Sequence, residues 1–313
     1  MAKKFAKLIY ARSVDDIPVK YAIIKENPAA FMEWYVEKYN PFRLEKLTLA
    51  GETGYLVVLP LAEDEVFSNP GKAARVLQKT VGALAEYDVA VMTAPPACET
   101  LIKSAVPVAT GAHLFPFFMI QAAEKALSAD GKAIRECEFL ILHENDDLTE
   151  LIIDCIGANV NYLTILTAQR SERLNRKAED VFYDAGLNIR FTKSAKAAAE
   201  SADVIINAAR MDLKQDNRLK RGAVYFDLCG DKAAFRRLLS HRPDMRFYDG
   251  LALRYKKETL SLCELAAALF LGSASYRAIV SKRYRPELVT DVMNELAAKR
   301  VGVANLSCLG GLT

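Results

Sequence analysis

Six short apolar runs recur between Cys137 and Tyr248, separated by stretches of helical spacing except for a loop between the fourth and the fifth. Phe139–Leu142, Tyr162–Leu166, Asn188–Phe191, Asp203–Asn207, Ala223–Asp227 and Met245–Tyr248 are too short for helices, and the best of them are apolar without alternation. That is how strands read when a sheet is covered on both faces. The intervening segments place apolar residues three and four apart, as at Leu148, Leu151, Ile152 and Cys155, and one of them, Glu172–Ala185, stops at Gly186. Strand, helix, strand in this order predicts a doubly wound parallel sheet of Rossmann type.

The residues before this block repeat the theme less regularly. Tyr21–Ile24, Gly54–Leu59, Val89–Thr93 and Val106–Thr110 read as strands. Lys72–Glu86 and Phe117–Leu127 read as helices, and Ser128-Ala129-Asp130-Gly131 as a boundary. Beyond the block, Leu260–Ile279 and Pro286–Arg300 read as two helices. The division expected is an α/β domain over 1–133, a Rossmann-type domain over 134–255, and C-terminal helices over 256–313 returning to the first domain. A chain of 313 residues, 51% hydrophobic, has enough apolar material for two such cores.

Composition excludes several classes. No apolar run approaches the roughly 18–20 residues that span a bilayer. The opening MAKKFAKLIYARSVDD turns charged too early for a signal peptide. Six cysteines without a CxxC pair, and three histidines, argue for free thiols in a cytoplasmic protein and against a structural metal site. A net charge of +3 gives no case for nucleic acid. Met211–Arg300 nonetheless holds 18 Lys/Arg against 11 Asp/Glu, which is either a solvated basic face or a dock for an acidic partner.

Ligands of a doubly wound sheet sit beyond the carboxyl ends of its strands. Five segments fall there: His143–Asp147, Thr167–Arg170, Thr192–Ser194, Asn207–Arg210 and Asp227–Asp231. The first turn, where dinucleotide-binding domains are glycine-rich, is His143-Glu144-Asn145-Asp146-Asp147. Its carboxylates would repel a pyrophosphate. Asp146 or Asp147 is expected instead to cap the following helix, with a carboxylate metal site as the alternative. The second turn has no acidic residue for a ribose 2′-hydroxyl, while Arg170 suits a 2′-phosphate, so a nicotinamide cofactor would be NADP. Thr167, Arg170, Asn207 and Ala208 are the candidate cofactor contacts.

The stretch SADVIINAARMDLKQDNRLKRGAVYFDLCGD resembles the late Rossmann half of shikimate dehydrogenases and long-chain acyl-carrier-protein reductases. The likeness to the reductases extends to Gly54–Pro95, Val106–Leu127, Phe247–Arg254, LSLCELAAALFLG (Leu260–Gly272) and the closing VMNELAAKRVGVANL. It implies reduction of an acyl thioester to an aldehyde by NADPH through a cysteine acyl-enzyme. Cys263 matches the nucleophile, and an acyl thioester or an acidic carrier protein is the implied partner. Cys229, between Asp227 and Asp231, is the competing thiol; His113 and His143 are candidate acids or bases. The SxSP segment of shikimate dehydrogenases has no counterpart. The chain departs from the reductases at the glycine-rich turn, which puts the hydride half of the reaction in doubt. The alternative is a non-catalytic Rossmann-type binding protein that has lost dinucleotide binding. A homo-oligomer is left open.

Overall fold

The computed structural model describes residues 3–11, 42–99, 101–209, 219–228, 232–281, 284–308 and 311–312. Contacts divide the chain into two compact units: Met1–Gly111 with Cys263–Arg277, and Ala112–Leu262 with Ala278–Thr313.

The first unit is built on a four-stranded sheet. Its strands are β1 (Lys4–Tyr10), β2 (Arg43–Leu49), β3 (Glu52–Leu59) and β4 (Val89–Thr93), in the order β2-β3-β1-β4. β1 runs parallel to both neighbours, and β2 closes a hairpin on β3 through Ala50 and Gly51, both at positive φ, the geometry that twisted two-residue hairpins require. The expected strands at 54–59 and 89–93 are present. Val106–Thr110 makes only a single parallel bridge, Met92 to Val108, and the expected strand at 21–24 lies outside the described residues. β1 and β2 carry too many charges to have been read as strands. β1 is nonetheless central, and its lysines have partners: Lys4 Nζ donates to the Tyr55 hydroxyl at 2.7 Å, and Lys7 pairs with Glu264. Gly54 faces Phe5 so closely that a Cβ would lie 2.4 Å from the Phe5 carbonyl oxygen, so this crossing requires glycine.

Helix α1 (Glu63–Ser68) and helix α2 (Pro70–Leu84) cover the sheet. α2 starts two residues before the expected Lys72, because Pro70 is preset for the first turn and Asn69 accepts from the Lys72 amide. Its buried face, Ala73, Val76, Leu77, Val81 and Leu84, packs on Ala6, Leu8, Val57, Leu59 and Met92.

In the second unit, a turn of 3-10 helix over Phe115–Phe118 leads into α3 (Met119–Leu127). The doubly wound block follows: β5 (Glu138–Leu142), α4 (Asp146–Ile156), β6 (Tyr162–Leu166), α5 (Glu172–Ala185), β7 (Ile189–Thr192), α6 (Ala195–Ser201), β8 (Val204–Asn207), β9 (Val224–Asp227), α7 (Lys232–His241) and β10 (Arg246–Tyr248). All six expected strands are present, within one or two residues at their ends. They pair in parallel, in the order β10-β9-β8-β5-β6-β7. That is the Rossmann arrangement, with the order reversing between β5 and β8. α5 ends as expected at Gly186, which adopts φ 70°.

Both sheet faces are buried. Tyr225 meets Phe235 and Phe247 on one face, while its neighbour Phe226 meets Phe115 and Tyr248 on the other. Alternation along β9 sends successive aromatics to opposite cores.

After the block the chain forms β11 (Gly250–Tyr255), β12 (Glu258–Ser261), α8 (Leu262–Gly272), α9 (Ala274–Val280), α10 (Pro286–Ala298), β13 (Gly302–Cys308) and β14 (Gly311–Leu312). β12, β11, β13 and β14 make a separate antiparallel sheet, which the sequence did not announce. The expected helix 260–279 is two helices bent by 114°. Gly272 and Ser273 break it, and Ser273 Oγ accepts from the Tyr276 amide to start α9. Cys263–Arg277 groups with the first unit, whereas α10 groups with the second and packs on α4. Among the described residues no single helix is long and apolar enough to cross a membrane.

Several basic residues of the 211–300 stretch are structural. Arg242 holds Asp244 through two nitrogens and the Leu219 carbonyl. Arg246 holds Asp130 and the carbonyls of Ala126 and Gly222. Lys132 and Lys220 both reach Asp203 Oδ1, at 2.7 and 2.8 Å, and the Glu138 amide donates to Oδ2. Burial alone would raise the Asp203 carboxyl, but these three donors outweigh it and hold it below the usual carboxylate range. A carboxyl depressed by folding adds stability above its unfolded pKa and loses it as pH falls through the folded value. Asp203→Asn is expected to cost about 1–2 kcal/mol at pH 7, discounted because both ammoniums are partly in water. The loss should shrink as pH falls below the ordinary aspartate range and through the depressed folded value, as read from urea midpoints across pH.

Candidate functional site

The reversal of strand order opens a cleft of ≈ 530 Å³ over the carboxyl ends of β5, β6 and β8. His143 and Glu144 line it from β5, Thr167, Gln169 and Ser171 from β6, and Ala209 from β8. All but Ser171, which follows Arg170, come from three of the five segments placed there by the sequence.

The turn after β5 is short: β5 ends at Leu142 and α4 begins at Asp146. The cap is Asn145. Its side-chain oxygen accepts from the amides of Asp147, at 2.9 Å, and Leu148, at 3.5 Å. The expectation that Asp146 or Asp147 caps the helix is corrected: both lie inside the first turn, where a carboxylate still gains from the positive helix end. His143 is 9% exposed. Its Nδ1 lies 2.9 Å from Thr149 Oγ1 and its Nε2 lies 3.4 Å from Asp146. Burial pulls its pKa below the ordinary histidine value despite Asp146 and Glu144, so the ring is neutral at pH 7.

Behind this turn α4 and α5 face each other through charges. Arg173 Nη1 meets Asp147 at 2.5 Å, and its Nε and Nη2 meet the two Glu150 oxygens at 2.6 and 2.8 Å. One and two turns further along, Lys177 pairs with Asp154. Acids at 147, 150 and 154 on one helix and bases at 173 and 177 on the other follow helical spacing, a pattern the sequence contained and the strand-based reading passed over. Burial raises the Glu150 and Asp154 carboxyls, with Arg173 and Lys177 opposing.

The expected cofactor contacts are only partly brought together. Thr167 lines the cleft, but its hydroxyl donates to the Gln169 carbonyl at 2.8 Å. Arg170 is exposed on the same turn, its guanidinium 4.0 Å above the Phe191 ring. Asn207 turns away: its amide donates to Asp227 Oδ1 at 2.9 Å and its oxygen accepts from the Ala209 amide. The Ala208 amide continues the ladder to the Leu142 carbonyl. Ala209, one residue further, lines the cleft and was not among the four residues singled out. His113 is half-buried and is not part of the lining. Cys229, Asp231 and Arg210 lie outside the described residues. Among the described residues no group of three or more His, Cys, Asp or Glu is placed to hold a metal ion.

Cys263 belongs to the first unit and is the second residue of α8, the helix-start position expected of it. It is half-buried, and its thiol donates to the Thr110 carbonyl at 3.2 Å. Cys98, Cys137 and Cys155 are buried, and burial pushes each thiol up.

No protein-family model matches this chain, and no curated protein matches it in sequence. Among solved structures it is similar to L-tryptophan dehydrogenase from Nostoc punctiforme, at 11% identity over 96% of this chain and 84% of that one, with a TM-score of 0.36. It is also similar to shikimate 5-dehydrogenase from Listeria monocytogenes, in complex with shikimate and NAD, at 9% identity over 93% and 96%, with a TM-score of 0.34. A formate dehydrogenase from Granulicella M. matches at 13% identity over 76% and 79%, again at 0.34. At these scores the likenesses carry no argument about the site, and the Rossmann character of the second unit rests on its own strand order.

The charge ladder gives a sharp expectation. Lys177→Met leaves the Asp154 carboxylate buried with its cation gone and should cost about 3–5 kcal/mol. Asp154→Leu combined with Lys177→Met should recover most of that loss. Urea midpoints at pH 7 for the two variants check it, and equal losses in both would refute the coupling.

Proposed function

We propose that this chain is an oxidoreductase-like Rossmann protein that does not seat a dinucleotide pyrophosphate on its first helix, and that its cleft takes a ligand without a diphosphate. One observation carries the proposal: the Asn145 side chain occupies the amides of Asp147 and Leu148, the donors a pyrophosphate would need. Glu144 lines the same space, and Asp146 stands at the helix start. A unit charge pair at ~4 Å costs about 4 kcal/mol at an effective dielectric of ~20, enough to offset what a phosphate gains from a helix end. The turn after β6 supports a nucleotide end better, with Ser171 in the lining and Arg170 held over Phe191 for a 2′-phosphate. Calorimetry on the full chain distinguishes the cases. Adenosine 2′-phosphate is expected to bind more tightly than NADPH, and NADH not at all at millimolar concentration. Tighter binding of either dinucleotide than of the mononucleotide would overturn the proposal.

A second reading, reduction of an acyl thioester through Cys263, is supported by the half-buried thiol at the start of α8. In that chemistry the Cys263 thiolate attacks the thioester carbonyl, the carrier thiol leaves, and hydride from NADPH releases the aldehyde. A helix start favours the thiolate, while the bond to Thr110 O draws on the protonated thiol. Cys263 should react with iodoacetamide faster than Cys98, Cys137 and Cys155. Cys263→Ser should abolish any acyl-enzyme formed from a long-chain thioester. Labelling of Cys263 as slow as that of Cys155 would remove this reading.

A further inference from the structure

We infer that β7 is the docking edge for a second copy of this chain, which adds antiparallel about a two-fold axis and continues the six-stranded sheet of one copy into that of the other. β7 ends the strand order, and only β6 pairs with it. In a parallel pair alternate residues turn their amides and carbonyls away from the neighbour, so an edge strand presents an unused row. Among the described residues no further backbone hydrogen bond involves Ile189, Arg190 or Phe191. The opposite edge differs: β10 packs on β13, and the Asp249 amide just beyond it donates to the Ser307 carbonyl at 3.0 Å.

Aromatic surface gathers at the amino end of this edge. Phe182 and Tyr183, in the last turn of α5, are 53% and 83% exposed and meet edge to face with ring centroids 5.9 Å apart. Tyr162, the first residue of β6, is 57% exposed. These are three of the five large apolar side chains exposed among the described residues, and the connectivity brings all three to one end of β6 and β7. Each such ring has roughly 150–250 Å² to bury, which makes the edge an interface candidate in its own right.

Charge decides what fits there. α5 runs back to the start of β7, so Glu179, Asp180 and Asp184, all exposed, lie towards the strand's amino end. Lys193 and Lys196, also exposed, follow its carboxyl end, as does the turn carrying Arg170. Among the described residues the ion pairs of α5 are those of Arg173 and Lys177, which leaves these acids and lysines for a partner. Arg176 and Arg190 lie between the two ends, and Glu172, at the basic end, is the one exception. A copy added parallel would set acids against acids. An antiparallel copy related by a two-fold axis sets each acidic end against the other's basic end, twice. The edge is thus complementary to itself, as an isologous contact requires. Strand pairing and aromatic burial supply the affinity, and the charges fix the direction, since exposed ion pairs contribute little each.

Sedimentation velocity on the full chain tests this. The parent is expected to be a dimer at micromolar concentration. Asp180→Lys with Asp184→Lys turns the acidic end basic, and Lys193→Glu with Lys196→Glu turns the basic end acidic. Each variant alone should dissociate at least about tenfold more readily than the parent, and an equimolar mixture of the two should recover a dimer holding one chain of each kind. Phe182→Ser with Tyr183→Ser should weaken the dimer as well, without rescue on mixing with either charge variant. A monomeric parent overturns the inference. So does a dimer that all three variants leave unchanged, or a mixture of the charge variants that stays dissociated. Should a charge variant fail to fold, amide hydrogen exchange in the parent decides. Protection of residues 189–192 that rises with protein concentration supports the interface, and protection independent of concentration overturns it.

Discussion

Parallel pairing of β5 with β6 on one side and β8 on the other is the interaction on which the second unit is organised. Leu142, the last residue of β5, is paired with Leu166 and with Asn207. The strand order reverses between β5 and β8, so the neighbouring connections run to opposite sides of Leu142 and leave a crevice above it. The cleft is therefore a topological necessity, and its chemistry is decided by whichever side chains end the three strands. His143, Thr167 and Ala208 still donate their amides to Leu166, Thr192 and Leu142, so the lining begins where this ladder ends, with Ala209 one residue beyond it.

The same turn is tied into the helical layer. α4 begins with the Asn145 cap, presents Asp147 to Arg173, and continues with Glu150 and Asp154 against α5. An apolar interface would have given equal or greater stability. Charges fix which turn of α4 faces which turn of α5, and hence where Glu144 and Ser171 stand across the cleft. The electrostatics of the interface and the geometry of the site are one arrangement.

Much of the second unit was legible because strands buried on both faces leave an apolar signature, and Gly186 marked a helix end that the structure keeps. β1 was not legible: Lys4 and Lys7 disguise a central strand, and only the Tyr55 hydroxyl and Glu264, distant in sequence, explain how it tolerates them. The antiparallel sheet was hidden because β13 pairs with β11 across some fifty residues, and no local pattern records such a partner. At the site, the segments after β5 and β6 were anticipated, whereas the cap was assigned to Asp146 or Asp147, one or two positions after Asn145. Asn207 was chosen because its residue type suits ligand binding, and the bond from its amide to Asp227 could not be read from the sequence.

The division of the chain has a consequence for its synthesis. The first unit opens with Lys4 and is completed only by Cys263–Arg277, the segment that carries Glu264 to Lys7. Between the two lies the whole of the six-stranded sheet. At ordinary translation speeds roughly ten to thirty seconds separate the emergence of Gly111 from that of Arg277. A ribosome making this protein thus holds the four strands of the first unit incomplete while the later sheet is already able to form. Residues 1–111, about a third of the chain, wait for the segment that completes their unit until the second sheet has been made.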